Sequence, residues 1–392
     1  MLKQINDLTL IKKLGKGSYG EVYLSQKENS NKIFATKKIP QEKVDSPKMK
    51  RYLTYEVNFL KNLNHPNIVK LEEIKKTFTN YYIVMEYING SELSKCLKKY
   101  MEKYQKGFPE KVVQHLMKQI VEAVAYLHDL NIIHRDLKLG NIMVNFDNEK
   151  DKAELNMMKA KIKIIDFGFA IILPSDILKA RSVVGTALYM DPRIAEDYYK
   201  GAKYDGKGYG KEVDIWSLGC LCYELFVGKV PFEANELGEL VEKMKKGIYK
   251  IPKTASPDFV SFLDGMLKNN ADYRLSAREL LNHPFLTKIF FDSNNISANN
   301  EFSMNNEEIQ LEKITDNALL PSFQYVPNIQ PNVNKETYSI YDDYSSSSSF
   351  YSQQPMTFMN QQQKPEGMFQ MNINNQIYKN TFQTNYQQNK YI

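Results

Sequence analysis

The sequence predicts an α+β fold of two lobes: a small antiparallel five-stranded sheet, then a larger, mainly helical body, followed by a disordered tail. Three observations carry that expectation. From Leu8 to about Ile39, β-favouring residues alternate around a glycine cluster, as in LTLIKKLGKGSYGEVYLSQ and KIFATKKI. Beyond Gly90 the apolar periodicity becomes helical, and after Phe285 the composition changes abruptly. At about 100–200 residues per domain, 392 residues allow two or three compact units or one two-lobed domain with an extension. With 42% hydrophobic and 25% charged residues, collagen-like, coiled-coil and wholly disordered chains are excluded.

The opening segment reads as three short strands joined by turns. Residues 48–63 then place Leu53, Val57, Phe59 and Leu60 near helical spacing, and after the breaker His65-Pro66 come strand-like pieces at 68–76 and 81–87. The order is β, β, β, α, β, β. In 110–130, Val113, Leu116, Met117, Ile120, Val124 and Leu127 form one apolar stripe. This places the first lobe at about 8–87, a hinge near 86–90 and the second lobe at about 91–287. Residues 291–392 contain 17 Asn, 13 Gln and the run Ser345 to Ser349. So few aliphatic groups cannot offset the backbone entropy of ordering the segment, which reads as low-complexity and disordered. There is no tandem repeat of 20–50 residues.

The net charge of +6 averages two unlike parts. Residues 1–290 hold 47 Lys and Arg against 36 acids, whereas 291–392 hold 5 Lys, no Arg and 10 acids. No dense Lys/Arg tract marks a nucleic-acid or membrane partner. Three cysteines, Cys96, Cys220 and Cys222, are too few for a disulfide scaffold and have no paired metal-ligand spacing, which suits a reducing compartment. With no signal-peptide pattern and no transmembrane segment, the expected location is cytoplasmic, or alternatively nuclear.

Gly15-Lys16-Gly17-Ser18-Tyr19-Gly20-Glu21-Val22 fits G-x-G-x-x-G-x-V between two strands, where absent side chains let backbone amides approach phosphate oxygens. Alone it also fits a glycine-rich hairpin. His134-Arg135-Asp136-Leu137-Lys138-Leu139-Gly140-Asn141 is more specific, because six set residues at roughly 5% each match by chance on the order of 10⁻⁸ per start. Here the sequence resembles the eukaryotic protein kinases, whose catalytic loop reads H-R-D-L-K-x-x-N. The resemblance covers about 8–287. It takes in Ala35-Thr36-Lys37, Glu56, Asp166-Phe167-Gly168 and Asp214-Ile215-Trp216-Ser217-Leu218-Gly219.

The resemblance implies ATP and Mg²⁺ between the lobes and transfer of the γ-phosphate to protein Ser or Thr hydroxyls. Asp136 would accept or orient the hydroxyl proton and Lys138 would neutralise the transferring group. Lys138 is also the residue that resembles the serine/threonine class. Lys37 would meet the α and β phosphates, oriented by Glu56, while Asn141 and Asp166 would be the metal ligands. Leu14, Gly15, Lys16, Gly17, Ser18, Tyr19 and Gly20 would cover the nucleotide, with Val22, Ala35 and Met143 against the adenine faces. Met85 would be the gatekeeper, and the Glu86 carbonyl and Ile88 amide would meet the adenine edge. Glu92 would meet the ribose or a basic substrate residue, or be a solvated helix-start carboxylate. By the same resemblance His134 is a structural histidine beneath Phe167.

Between Gly168 and Asp191 lies the counterpart of the activation loop. A phosphate on Ser182 could pair with Arg135 and order this segment, through an upstream kinase or autophosphorylation. Ser175 is a second candidate, and Thr186 is expected to organise the peptide platform and catalytic loop. Where the family closes the segment with A-P-E, this chain has Asp191-Pro192-Arg193. Arg193 would repel Arg274 unless Asp191, Glu196 or Asp272 compensates, and a rewired pair is expected. Two insertions, near 146–160 and 196–209, read as surface loops. Runs such as LNHPNIVKL, IIHRDLKLGNIMV and IDFGFA are similar to the autophagy-initiating ULK group and its calmodulin-dependent relatives. The alternative reading is a pseudokinase scaffold that binds nucleotide or partners without transfer. Partners of the tail are not indicated.

Overall fold

Asn6 and Asp7 turn the chain between Ile5 and Leu8, with Asn6 in the left-handed region (φ 53°) and both apolar neighbours buried. The hairpin so formed joins β1 (Lys3–Ile5) to β2 (Leu8–Lys16) and adds a strand ahead of the expected sheet. The sheet therefore has six strands, not five. β3 (Glu21–Lys27), β4 (Ile33–Pro40), β5 (Leu71–Lys76) and β6 (Asn80–Glu86) complete it, antiparallel throughout, in the order β1-β2-β3-β4-β6-β5. The extra strand forms because Ile5 and Leu8 can be buried with Leu10, Phe34, Tyr82 and Val84 on one face. The computed structural model describes residues 3–288 apart from 17–19, 29, 46, 174–184 and 201–207. Gly17, Ser18, Tyr19, Ser175, Ser182 and the tail lie outside the described residues.

The other face of the sheet meets two helices rather than the single one expected, α1 (Gln41–Val44) and α2 (Pro47–Asn62). Pro47 suits a first helical position, where no amide is needed. Phe59 and Leu60 pack with Ile39, Ile83 and Leu63 in a core continuous with that of the second lobe. After the hinge, β7 (Gly90–Glu92) leads into α3 (Leu93–Tyr104) and α4 (Glu110–Asp129). The predicted stripe of α4, from Val113 to Leu127, is wholly buried.

Next come β8 (Ile132–Ile133), β9 (Ile142–Asn145), α5 (Glu149–Glu154), β10 (Lys161–Ile164) and β11 (Ile171–Ile172). These form two small antiparallel sheets, β10-β9-β7 and β11-β8. The chemistry-bearing motifs are the loops that leave them. Helices α6 (Pro192–Lys200), α7 (Glu212–Val227), α8 (Leu237–Lys246), α9 (Pro257–Met266), α10 (Ala277–Leu281) and α11 (Pro284–Thr287) close the lobe. Apolar almost all round, α7 is buried from Val213 to Leu225 and forms its centre.

The two insertions are not simply loops. Residues 149–154 are helical because Asn148 caps the helix by accepting from the Asp151 amide at 2.8 Å, and Leu155 ends it in the left-handed region. Residues 196–200 continue α6. All three cysteines are buried, and burial pushes the Cys96 thiol up to about 11. Among the described residues no helix is long and apolar enough to cross a membrane.

Candidate active site

β2 and β3 pair as an antiparallel hairpin that carries the glycine cluster. Gly15 has open space where a Cβ would stand, whereas a Cβ on Gly20 would lie 2.1 Å from the Lys38 carbonyl oxygen of β4. Gly20 is thus needed for the close approach of two backbones, a different requirement from the expected one of phosphate access. Leu14 is bulged out of the β2–β3 register and largely exposed.

Ala35 and Lys37 lie two apart on β4, facing Met85 and Ile83 of β6. The Lys37 ammonium donates to Glu56 Oε1 of α2 at 2.7 Å, so these residues, nineteen apart in sequence, form a closed pair. Burial pushes the Glu56 carboxyl up and Lys37 opposes that rise. For Asp166 the balance goes the other way. Burial raises its pKa, but Lys37, the Gly168 amide and Lys138 together hold it below the ordinary carboxylate value. Asp166 Oδ1 accepts from the Gly168 amide at 3.1 Å.

The loop 134–141 is drawn tight by one buried carboxylate. Asp214, at the start of α7, accepts from the His134 amide on Oδ2 and the Arg135 amide on Oδ1, both at 2.8 Å, and lies 3.0 Å from His128 Nε2. Arg135 is thereby held at φ 68°, an uncommon conformation for a non-glycine residue. Its side chain turns to the Phe169 carbonyl at 2.6 Å and the Tyr209 hydroxyl at 3.1 Å. His134 packs edge-on to Phe167 with ring centroids 5.1 Å apart, and burial lowers its pKa. It is thus neutral and enclosed.

Asp136 is the point of convergence. Its Oδ2 accepts from Lys138 Nζ at 2.7 Å and Asn141 Nδ2 at 2.9 Å, and its Oδ1 from Thr186 Oγ1 at 2.7 Å. Lys138 also donates to Thr186 Oγ1 at 2.7 Å. The Asn141 amide group is fixed by its second bond to the Asp136 carbonyl at 2.8 Å. With both donors of Asn141 turned to Asp136, its amide oxygen is the group left to meet a cation, and Asp166 adds an ionised carboxylate. That oxygen pair suits Mg²⁺, which takes few protein ligands and retains waters.

The hinge leaves β6 at Glu86. Its carboxylate is turned away, accepting from Lys163 Nζ at 2.6 Å and the Lys70 amide at 2.8 Å, so the recognition expected of Glu86 falls to its backbone. Met85 and Ile88 are buried, and Val22 and Met143 are half-buried. Glu92 immediately precedes α3 and accepts from Lys95 at 2.6 Å.

Asp191, not residue 193, meets the buried Arg274, with Arg274 Nη1 donating to Asp191 Oδ2 at 2.5 Å. Arg193 folds back to make two side-chain bonds of 2.9 Å to the same carboxylate and reaches Glu212 at 3.1 Å. Of the other compensators considered, Glu196 pairs with Lys200 and Lys245. The structural parts played by Asp214 and Tyr209 were missed from sequence. Asp214 carries a signal, a carboxylate in the first turn of a largely apolar helix, whereas nothing in the local pattern marks Tyr209.

A family model described as the protein kinase domain matches residues 8–286. Among similar proteins, serine/threonine-protein kinase 36 of Pongo abelii is 34% identical over 277 residues, covering 71% of this chain and 19% of that protein. Aurora kinase A-B of Xenopus laevis is 30% identical over 284 residues, covering 72% and 63% respectively. Myosin light chain kinase A of Dictyostelium discoideum is 34% identical over 277 residues, covering 70% and 85%. The chain thus spans about a fifth of the first relative's length and under two thirds of the second's. It belongs to the protein kinase family, on the serine/threonine side of it.

Proposed function

We propose that the chain is an ATP-dependent serine/threonine protein kinase whose reaction runs at Asp136. The observation that carries this is the convergence of Lys138, Asn141 and Thr186 on the Asp136 carboxylate, together with the closed Lys37–Glu56 pair. Three donors fix and aim that carboxylate. A protein Ser or Thr hydroxyl brought to it gives up its proton as its oxygen bonds to the γ-phosphorus, and the bond from that phosphorus to the β-γ bridging oxygen breaks to release ADP. Lys138 compensates charge on the moving group, and Lys37, oriented by Glu56, does so on the α and β phosphates. Mg²⁺, when bound, neutralises phosphate charge, and Asn141 and Asp166 would hold it.

The adenine is assigned to the Glu86 carbonyl and Ile88 amide, with Val22, Ala35 and Met143 about its faces and Met85 behind. On regulation, a phosphate at Ser182 would be read by Arg135. The finer pathway reading, kinship with the autophagy-initiating ULK group, rests on the sequence runs quoted above, and restoration of autophagy in cells lacking such a kinase would test it.

The test of the activity is transfer of labelled γ-phosphate to a basic Ser/Thr protein with Mg²⁺, comparing the chain with Asp136→Asn and Asp166→Asn. Both variants should lose transfer by at least about a hundredfold. Transfer by either variant at the wild-type rate would overturn the assignment, and no transfer by the wild-type chain, even after phosphorylation at Ser182, would favour a scaffold.

A further inference from the structure

The insertion at 146–160 reaches the hinge. From α5, Lys152 Nζ donates to Asn89 Oδ1 at 2.6 Å, and Glu149 Oε1 accepts from Asn89 Nδ2 at 2.8 Å. The Asn89 amide donates to Asn145 Oδ1 at 3.0 Å, so the backbone N–H and both ends of the side chain are occupied by the β9–β10 connection or its base. Glu149 and Lys152 also pair with each other at 3.3 Å, closing a three-residue ring.

The neighbouring backbone leaves little play. Gly90 pairs with Asn145, and a Cβ on Gly90 would lie 1.7 Å from the Val144 carbonyl oxygen. At the start of the hinge, Lys163 of β10 holds Glu86. The link between the lobes is therefore gripped at both ends by groups on either side of the same insertion.

We infer that α5 is a hinge brace, in which Glu149 and Lys152 act through Asn89 as positioning residues that set how readily the cleft takes up ATP. This rests on the reading that residues 86–88 meet the adenine. Asn89 directly follows Ile88, so a hinge free to shift there would present the adenine-binding amide in more than one position. The brace lowers that cost before the nucleotide arrives. Its effect is modest, because the Lys152 and Glu149 side chains are 36% and 75% exposed.

The test uses the full chain. Lys152→Ala should raise both the dissociation constant of a fluorescent ATP analogue and KM for ATP by about threefold, leaving KM for the protein substrate and kcat at saturating ATP unchanged. Lys152→Arg, which keeps a donor, should restore both constants. Asn89→Ala, which also releases Glu149, should raise both constants at least as much as Lys152→Ala, and the double variant should be no worse than Asn89→Ala, because the Lys152 bond to the hinge is already lost there. Amide hydrogen exchange at 88–90 should quicken in Lys152→Ala. Unchanged ATP constants with unchanged exchange would overturn the inference, and so would a lowered unfolding midpoint with ATP constants intact, the mark of a purely structural helix. If the wild-type chain binds no nucleotide, the adenine assignment fails first and the brace with it.

Discussion

Replacing Asp191 by Asn would isolate the Arg274 charge. That guanidinium is 1% exposed, lies 4.9 Å over the Trp216 ring, and has its other bonds to the carbonyls of Glu212 at 2.9 Å and Lys268 at 2.8 Å. Its Nη2 has no hydrogen-bond partner among the described residues. Asp191 is the carboxylate paired with it, so the variant leaves a buried cation uncompensated, at a cost of about 3–5 kcal/mol. Burial pushes the Asp191 carboxyl up, but Arg274 and Arg193 hold it below the ordinary carboxylate value. A depressed pKa means that the contribution is full at neutral pH and is lost only as pH falls below the ordinary carboxylate range toward the depressed folded value.

The same geometry makes a less intuitive demand of residue 193. Arg193→Glu puts back the family's glutamate, yet it should destabilise by about 1–2 kcal/mol, because the new carboxylate faces Asp191 and Glu212 instead of pairing with them. Asp191→Ala combined with Arg193→Glu recreates the usual arrangement and should be better than the sum of the singles by at least about 0.5–1 kcal/mol. Urea unfolding followed by fluorescence is the assay, since Trp216 is the sole tryptophan and stacks at this site. Asp191→Asn within about 0.5 kcal/mol of wild type, or Arg193→Glu stabilising alone, would refute the reasoning.

Glu224 is a buried carboxyl pushed up to about 7 by burial, with the Tyr189 hydroxyl donating to it. As pH rises from about 4.5 to 7 the unfolded chain ionises there before the folded one does, so stability falls by up to roughly 3 kcal/mol. Glu224→Gln should remove that fall, and equal pH slopes of the unfolding midpoint in both proteins would count against it. Thr186→Ala should lower kcat about tenfold, near 1.4 kcal/mol of barrier, and Thr186→Ser should restore it; steady-state kinetics with a saturating protein substrate decide. Gly20→Ala should cost about 1–3 kcal/mol, because the obstacle is the Lys38 backbone, and an unchanged thermal midpoint would contradict the close approach.

Much of the fold was legible because it is written in short-range periodicity. The α4 stripe, the hairpin glycines and the breaker before β5 each act within a few residues. The sixth strand was missed although Asn6-Asp7 is a turn signal, since three residues give too short an alternation to register. The helix in 146–160 was missed for another reason. Its residues are almost all polar, so no stripe marks it, and it is held by the Asn148 cap and the hinge rather than by a buried face.

The candidate site divides along the same line. Asp136, Lys138 and Asn141 belong to one loop, so their spacing already constrains them to a common place, and Asn141 bonds back five residues to Asp136. The residue types needed for phosphoryl transfer, and the absence of Glu from position 193, can be read directly from the chain. Folding settled the pairings made at long separation: Asp191 with Arg274, Arg135 with Tyr209, and Asn89 with Lys152, at 83, 74 and 63 residues apart. A one-dimensional pattern records which charges a chain carries. Which of them meet depends on how buried elements bring distant loops together, and in a low-dielectric interior only the matched pairs survive.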